Sequence, residues 1–453
     1  MVREARVSRA AFAPLLFAFC ALAAQCAAHA AAHGTAPLPY QPNNKHLGVA
    51  TCASSVCHGS VTPSTGHDVR LDEFVTWSHE DKHSQAYLAL TNEKGRAIAA
   101  KLGIADPRTE KLCLDCHSDN VPPAQRGAGF TLSDGVSCEA CHGGAQPWLT
   151  SHASRGTSYR DNTARGMYPT ADLRERAALC LSCHLGNEDK FATHRVMGAG
   201  HPRLSFELDT FLALQPPHYQ ADPDYQQRKP TYSRIQVWAY GQLAAVQQQL
   251  QLMQGPLVLQ TSFMPELALL DCHACHENPL HRLDWSRGVF TRSTQPGAIP
   301  FAEGHLKMAL IVARRVDGAA AAEILSLGQA LQKSAGDGRE RITAMSGQLS
   351  RAVAHTAAAV QARQWTRADA LGMLTDIIGL GRDGEYRDYI SAEQAVMAID
   401  LLMIETGVAD RYHSQRDALY RCLRDDDAYR PAQLRTVLED LAARVSADGI
   451  EER

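Results

Sequence analysis

From residue 301 onward apolar residues recur at spacings of three and four, in a stretch rich in Ala, Leu, Arg and Glu. That period lines one face of an α-helix. It predicts helices over His305 to Val316, Ala319 to Lys333, Arg339 to Gln364, Arg367 to Leu380, Ser391 to Thr406 and Pro431 to Ala447. Gly-containing loops such as Gly336-Asp337-Gly338 break the pattern, so the segment reads as an antiparallel helical bundle. Residues 33 to about 290 differ: Gly, Pro and short helical stretches alternate there, with little of the two-residue period that strands need. One longer helix is expected from Tyr232 to Leu259, with Pro256 near its end. The predicted fold class is mainly α, with short helices and long loops followed by a C-terminal helical bundle.

The first residues stand apart. Arg3, Arg6 and Arg9 precede the apolar run Ala11 to Ala24, and Ala28-His29-Ala30 offers small residues for cleavage. This is the pattern of a cleaved signal peptide over 1–32, and the run is shorter than the ~20 residues of a membrane span. Cys26 follows Gln25 rather than a small residue, which argues against a lipid anchor. The expected domains are 1–32, 33–300 and 301–453, and the expected location is periplasmic, with no transmembrane segment in the mature chain. With 45 basic and 49 acidic residues the net charge is -4, which excludes the strong basic excess of a nucleic-acid binder.

Cysteine spacing changes the picture most. Of 13 cysteines, Cys20 and Cys26 fall in the leader and Cys422 stands alone. The other ten form five pairs, each followed by histidine. Four are C-x-x-C-H: Cys113, Cys116, His117; Cys138, Cys141, His142; Cys180, Cys183, His184; and Cys272, Cys275, His276. The fifth, Cys52 to Cys57 with His58, holds two extra residues between its thiols. Two thiols that add across two vinyl groups, and an adjacent imidazole that ligates iron, are what covalent attachment of heme c requires. Disulfides would explain no histidines, and zinc sites would not demand one beside each second cysteine. Five covalent hemes are therefore expected, and they would form the core of 33–300.

The chain has 20 histidines, enough for most irons to take a second imidazole. Four contexts raise particular candidates. His79 and His83 lie four apart in an apparent helix, on one face, with His83 preferred. His152 follows the Cys138 to His142 motif by a short loop containing Trp148, His201 sits between Gly200 and Pro202, and His273 lies inside a motif, near His281. His305 and His355 could reach the last heme from the helical segment. His46, His67, His194 and His218 are weaker candidates.

Residues 47 to 215 resemble the multiheme cytochrome superfamily that includes the tetraheme cytochrome of ammonia oxidisers, hydroxylamine oxidoreductase and pentaheme nitrite reductase. The resemblance is carried in order by Cys52 to His58, Trp77 to Tyr87, Cys113 to His117, Gly135 to Gly144 with His152, Cys180 to His184 and Gly200 to Leu208. It implies that His83, His152 and His201 are distal ligands and that hemes pack in near-contact pairs. Two departures matter: no C-x-x-C-K motif marks a nitrite-reducing heme, and five motifs fall short of the eight hemes of hydroxylamine oxidoreductase. Two functions are carried forward. One is an electron carrier between periplasmic or membrane-bound redox partners, and the other is a multiheme oxidoreductase acting on a small nitrogen or sulfur compound at one open heme. The widened first motif, with His46, His67 and His79 nearby as sixth ligands, keeps the second alive. The C-terminal helices serve equally as inert packing or as a surface for docking or self-association.

Overall fold

The computed structural model describes residues 35–64, 69–256, 266–276, 288–292, 294 and 298–449. The signal-peptide expectation falls outside them, as do His67 and His281. Short helices come first: α1 (Glu73–His79), α2 (Glu93–Leu102), α3 (Lys111–His117), α4 (Cys138–His142), α5 (Leu149–His152), α6 (Tyr159–Ala164), α7 (Leu173–His184), α8 (His194–Gly198), α9 (Leu208–Leu214) and α10 (Pro223–Arg228). The long α11 (Arg234–Gln254) and the single turn α12 (His273–His276) follow. Then come α13 (Gly304–Val316), α14 (Gly318–Ser334), α15 (Arg339–Ala362), α16 (Arg367–Arg382), α17 (Tyr389–Glu405), α18 (His413–Arg421) and α19 (Pro431–Ala447). Among the described residues, β-pairing is limited to two isolated bridges, His46 with Arg126 and Leu270 with Phe301. The protein is mainly α. No helix among those residues is long and apolar enough to cross a membrane.

The described residues from Leu38 onward form one compact unit. Its apolar core runs from Leu173 to Val445, and α11 lies at its centre, packed on α15, α13, α9 and α7. Ser233 caps α11 by accepting the Gln236 N–H at 3.2 Å, and Trp238 is wholly buried. Gly241 lets α9 close on it, because a Cβ there would lie 2.7 Å from the Leu208 Cβ. The long helix of the cysteine-rich segment thus shares a core with the C-terminal helices.

Ahead of Leu173 the buried apolar residues, among them Val49, Leu114, Val121 and Trp148, do not join that core. Protein interiors pack as densely as organic crystals. A segment of this length without a contiguous core of its own requires something else to fill it.

Candidate functional site

What lies there is a cavity of about 2340 Å³, lined by residues from Tyr40 to Lys229 and by the first four cysteine pairs with their histidines. Small-molecule pockets reach only about 1,000 Å³, so one small ligand would not fill it. The fifth motif is not part of this wall and lies on α12 beside the C-terminal helices.

The C-x-x-C-H motifs form the last helical turn of α3, α4 and α7, and in the fifth motif Cys272 directly precedes the turn α12. Residues i, i+3 and i+4 share a helix face, which brings both thiols and the imidazole to one side. Asp172 starts α7 by accepting the N–H groups of Arg174 and Glu175 at 2.9 and 3.2 Å. The widened motif reaches the same closure without a helix. In α12 the His276 N–H bonds the Cys272 carbonyl at 2.9 Å, and in the first motif the His58 N–H bonds the Cys52 carbonyl at 3.2 Å, spanning two more residues. The surplus turns outward, leaving Val56 82% exposed.

The five motif histidines each face a second imidazole. Ring centres lie 6.2 Å apart for His58 and His152, 6.3 Å for His117 and His201, and 6.4 Å for His142 and His218. They lie 6.0 Å apart for His184 and His83, and 6.2 Å for His276 and His194. Two metal–imidazole bonds of roughly 2 Å each, plus the offset of each nitrogen from its ring centre, account for about 6 Å. The gaps therefore suit one ion between each pair.

Ring orientation agrees. His58 Nδ1 donates to Glu73 at 2.9 Å, His83 Nδ1 to Asp81 at 2.8 Å, His117 Nδ1 to the Ala86 carbonyl at 2.8 Å, and His201 Nδ1 to the Pro202 carbonyl at 2.7 Å. His152 Nδ1 meets the Leu149 carbonyl at 2.5 Å. Anchoring one ring nitrogen leaves the other to ligate and fixes the tautomer, as metal-bound histidines require. Burial, with the neighbouring His218, lowers the His142 pKa to about 3, so this imidazole is neutral and keeps a lone pair that could ligate a metal. The Cys52 thiol meets that of Cys138, and Cys116 meets Cys183, so the attachment points of two motif pairs adjoin.

Backbone geometry supports these positions. Gly135 adopts φ 72°, and a Cβ there would lie 2.7 Å from the His83 carbonyl oxygen; the loop before the third motif therefore presses directly on the His83 segment. Gly200 takes φ 113°, a conformation open to glycine, and thereby aims His201.

The expectation that His79 and His83 share one helix face is corrected. α1 ends at His79, which is exposed, and Asp81 starts a separate 3₁₀ helix, Lys82–Leu90, by accepting the His83 N–H at 2.9 Å. Asp81 is the residue that divides them, because its carboxylate caps the second element. His46 is fully buried against Asp119 at 2.8 Å. His273 lies 3.6 Å from Asp426 and edge-on to Tyr429, and His305 pairs with Gln242 at 2.8 Å. His355 is exposed on α15. None of these four faces a motif histidine. His218 and His194 do, though sequence context ranks them low. Pro216-Pro217 ahead of His218 and the seven-residue spacing from His194 to His201 were the signals available.

Residues 51–143, which hold three of the five motifs, match the family described as cytochrome c554 and c-prime. The match supports a multiheme c-type cytochrome in electron transfer, and with it covalently bound heme c. No curated protein and no solved structure matches the chain.

Proposed function

We propose that this protein is an exported, periplasmic electron carrier with five covalent hemes, each held between two imidazoles. One observation carries the reading: all five motif histidines face a second histidine at 6.0 to 6.4 Å between ring centres. When bound, heme supplies one-electron iron chemistry. The ten cysteines form the thioethers. His58, His117, His142, His184 and His276 are the proximal ligands, and His152, His201, His218, His83 and His194 are their distal partners in that order. An iron held by both imidazoles of a pair would have no open position for a substrate, which would suit outer-sphere transfer. The adjoining thiols of Cys52 with Cys138 and of Cys116 with Cys183 favour close heme pairs. The leader pattern supports export.

The denatured protein is expected to carry the mass of five hemes. All five should be low-spin in electron paramagnetic resonance, and the reduced protein should bind no carbon monoxide. His218→Ala and His194→Ala should each create one high-spin, carbon-monoxide-binding heme while the covalent count stays at five. Stoichiometric carbon monoxide binding by the unaltered protein would sink the carrier reading and favour an oxidoreductase with an open heme.

A further inference from the structure

Behind the fifth motif lies a cluster of charge that heme attachment does not use. The bridge between Leu270 and Phe301, with the Asp271 N–H on the Pro300 carbonyl at 2.8 Å and the Ala302 N–H on the Leu269 carbonyl at 3.0 Å, brings Asp271 to the start of α13. There Glu303 and Lys307 are buried, 3.1 Å apart. Glu385 and Asp388, also buried, approach from the segment that starts α17. The Lys307 ammonium donates to the Glu385 carbonyl oxygen at 2.7 Å, the Glu385 carboxylate accepts the Val289 N–H at 2.9 Å, and Asp388 accepts the Ser391 N–H at 2.7 Å.

Four carboxylates against one ammonium give a charge of -3 if all ionise, in a site largely removed from water. Such a sum is costly, and a protein relieves it by holding protons. Glu303 Oε1 has no hydrogen-bond partner among the described residues. Arg203 is engaged by Glu393 and Asp426 at 3.3 and 3.4 Å, so it does not neutralise the cluster. Asp271 is half-buried, accepts the His273 N–H at 2.9 Å, and directly precedes Cys272. Burial, with the Asp388 charge next and against the pull of Lys307, raises its carboxyl to about 7.

We propose that this cluster couples proton uptake to electron arrival at the fifth motif, with Asp271 as the proton acceptor; the inference rests on heme being held by Cys272 and Cys275. A one-electron reductant adds one negative charge beside Asp271 as Fe(III) becomes Fe(II). An O–H bond then forms on the Asp271 carboxylate with a proton from solvent, and the net charge of the site is unchanged. Linkage requires the converse, so the midpoint potential of that heme falls as pH rises through neutrality.

The test is potentiometric titration of the full, heme-loaded protein between pH 5 and 9, with dithionite as reductant, beside Cys272→Ser/Cys275→Ser. The component missing from the double variant is the fifth heme. Its potential is expected to fall by up to about 59 mV per pH unit, one decade per unit for a one-electron couple, and Asp271→Asn should flatten it without changing heme count or spin state. The reduced-minus-oxidised infrared spectrum of the unaltered protein should gain a protonated-carboxyl band, a readout that does not depend on the variant folding. Five hemes with a pH-independent fifth potential, or a slope retained in Asp271→Asn, would overturn the coupling alone. A heme count unchanged by the double variant would overturn the fifth site and the coupling together.

Discussion

At the scale of single residues, the side chains beside the proposed thioether positions set the electrostatics. Lys190 places its ammonium 3.0 Å from Cys183 Sγ and 3.2 Å from the Asp115 carbonyl, over the Tyr40 ring at 4.5 Å. Cys116 adjoins Cys183, so one cation faces two attachment points and favours the added electron on both. Lys190→Gln keeps a donor and removes the charge. It is expected to lower the potentials of the hemes proposed at Cys116 and Cys183 by on the order of 1–2 kcal/mol at an effective dielectric near 20, with the remaining potentials unmoved in a spectroelectrochemical titration. Glu207 acts on stability instead. Its carboxylate caps α9 through the Asp209 and Thr210 N–H groups at 2.9 and 2.8 Å, yet burial raises it to about 7. The folded state therefore binds a proton more tightly than the unfolded state, whose value is 4.5. Its stabilising contribution is complete below pH 4.5 and is lost as pH rises through 7. Urea midpoints measured across that window should decline less in Glu207→Gln than in the unaltered protein, and equal declines would count against this assignment.

At the scale of elements, the C-x-x-C-H motif is one helical turn, and that is why its geometry was legible from spacing. The periodic helices were legible too. Pro431 to Ala447 matches α19, and the expected Arg367 to Leu380 differs from α16 by two residues at its end. α18 went unpredicted because its nine residues bury only Gln415 and Leu419, too few to show a period. Helix contact was not legible from the pattern. Gly381 lies where a Cβ would collide with Leu438 Cδ1 of α19 and come to 3.0 Å from Tyr386 Cε2. Gly381→Ala is expected to overpack this junction and cost about 1–3 kcal/mol, visible as a lower thermal midpoint with heme count and spectrum unchanged.

At the scale of the molecule, the chain has two kinds of interior. From Leu173 onward side chains fill it; ahead of that residue the wall of a large cavity takes their place. A chain with serine in place of all ten motif cysteines should keep the helices of 301–449, since α11 and α13 to α19 bury one another. Residues 38–172 should lose amide protection, because their apolar surface has nothing to pack against. Hydrogen exchange followed by mass spectrometry would measure both halves at once, and full protection of 38–172 in that chain would refute a heme-filled interior.

The proposed attachment chemistry rests on the sequence alone. A thiol, a second thiol three residues on and an imidazole beside it are local, and one turn of backbone suffices to arrange them. The mainly α character was equally local, resting on apolar period. Which histidine faces each motif histidine was decided by tertiary structure. His276 meets His194 and His142 meets His218 across 82 and 76 residues, a distance over which spacing constrains nothing and only the path of the folded chain chooses. The same holds for the charge around Lys307, where α13 and the segment before α17 meet the fifth motif. Each carboxylate is ordinary in its own stretch of sequence, and their repulsion exists only because packing removes them from water together.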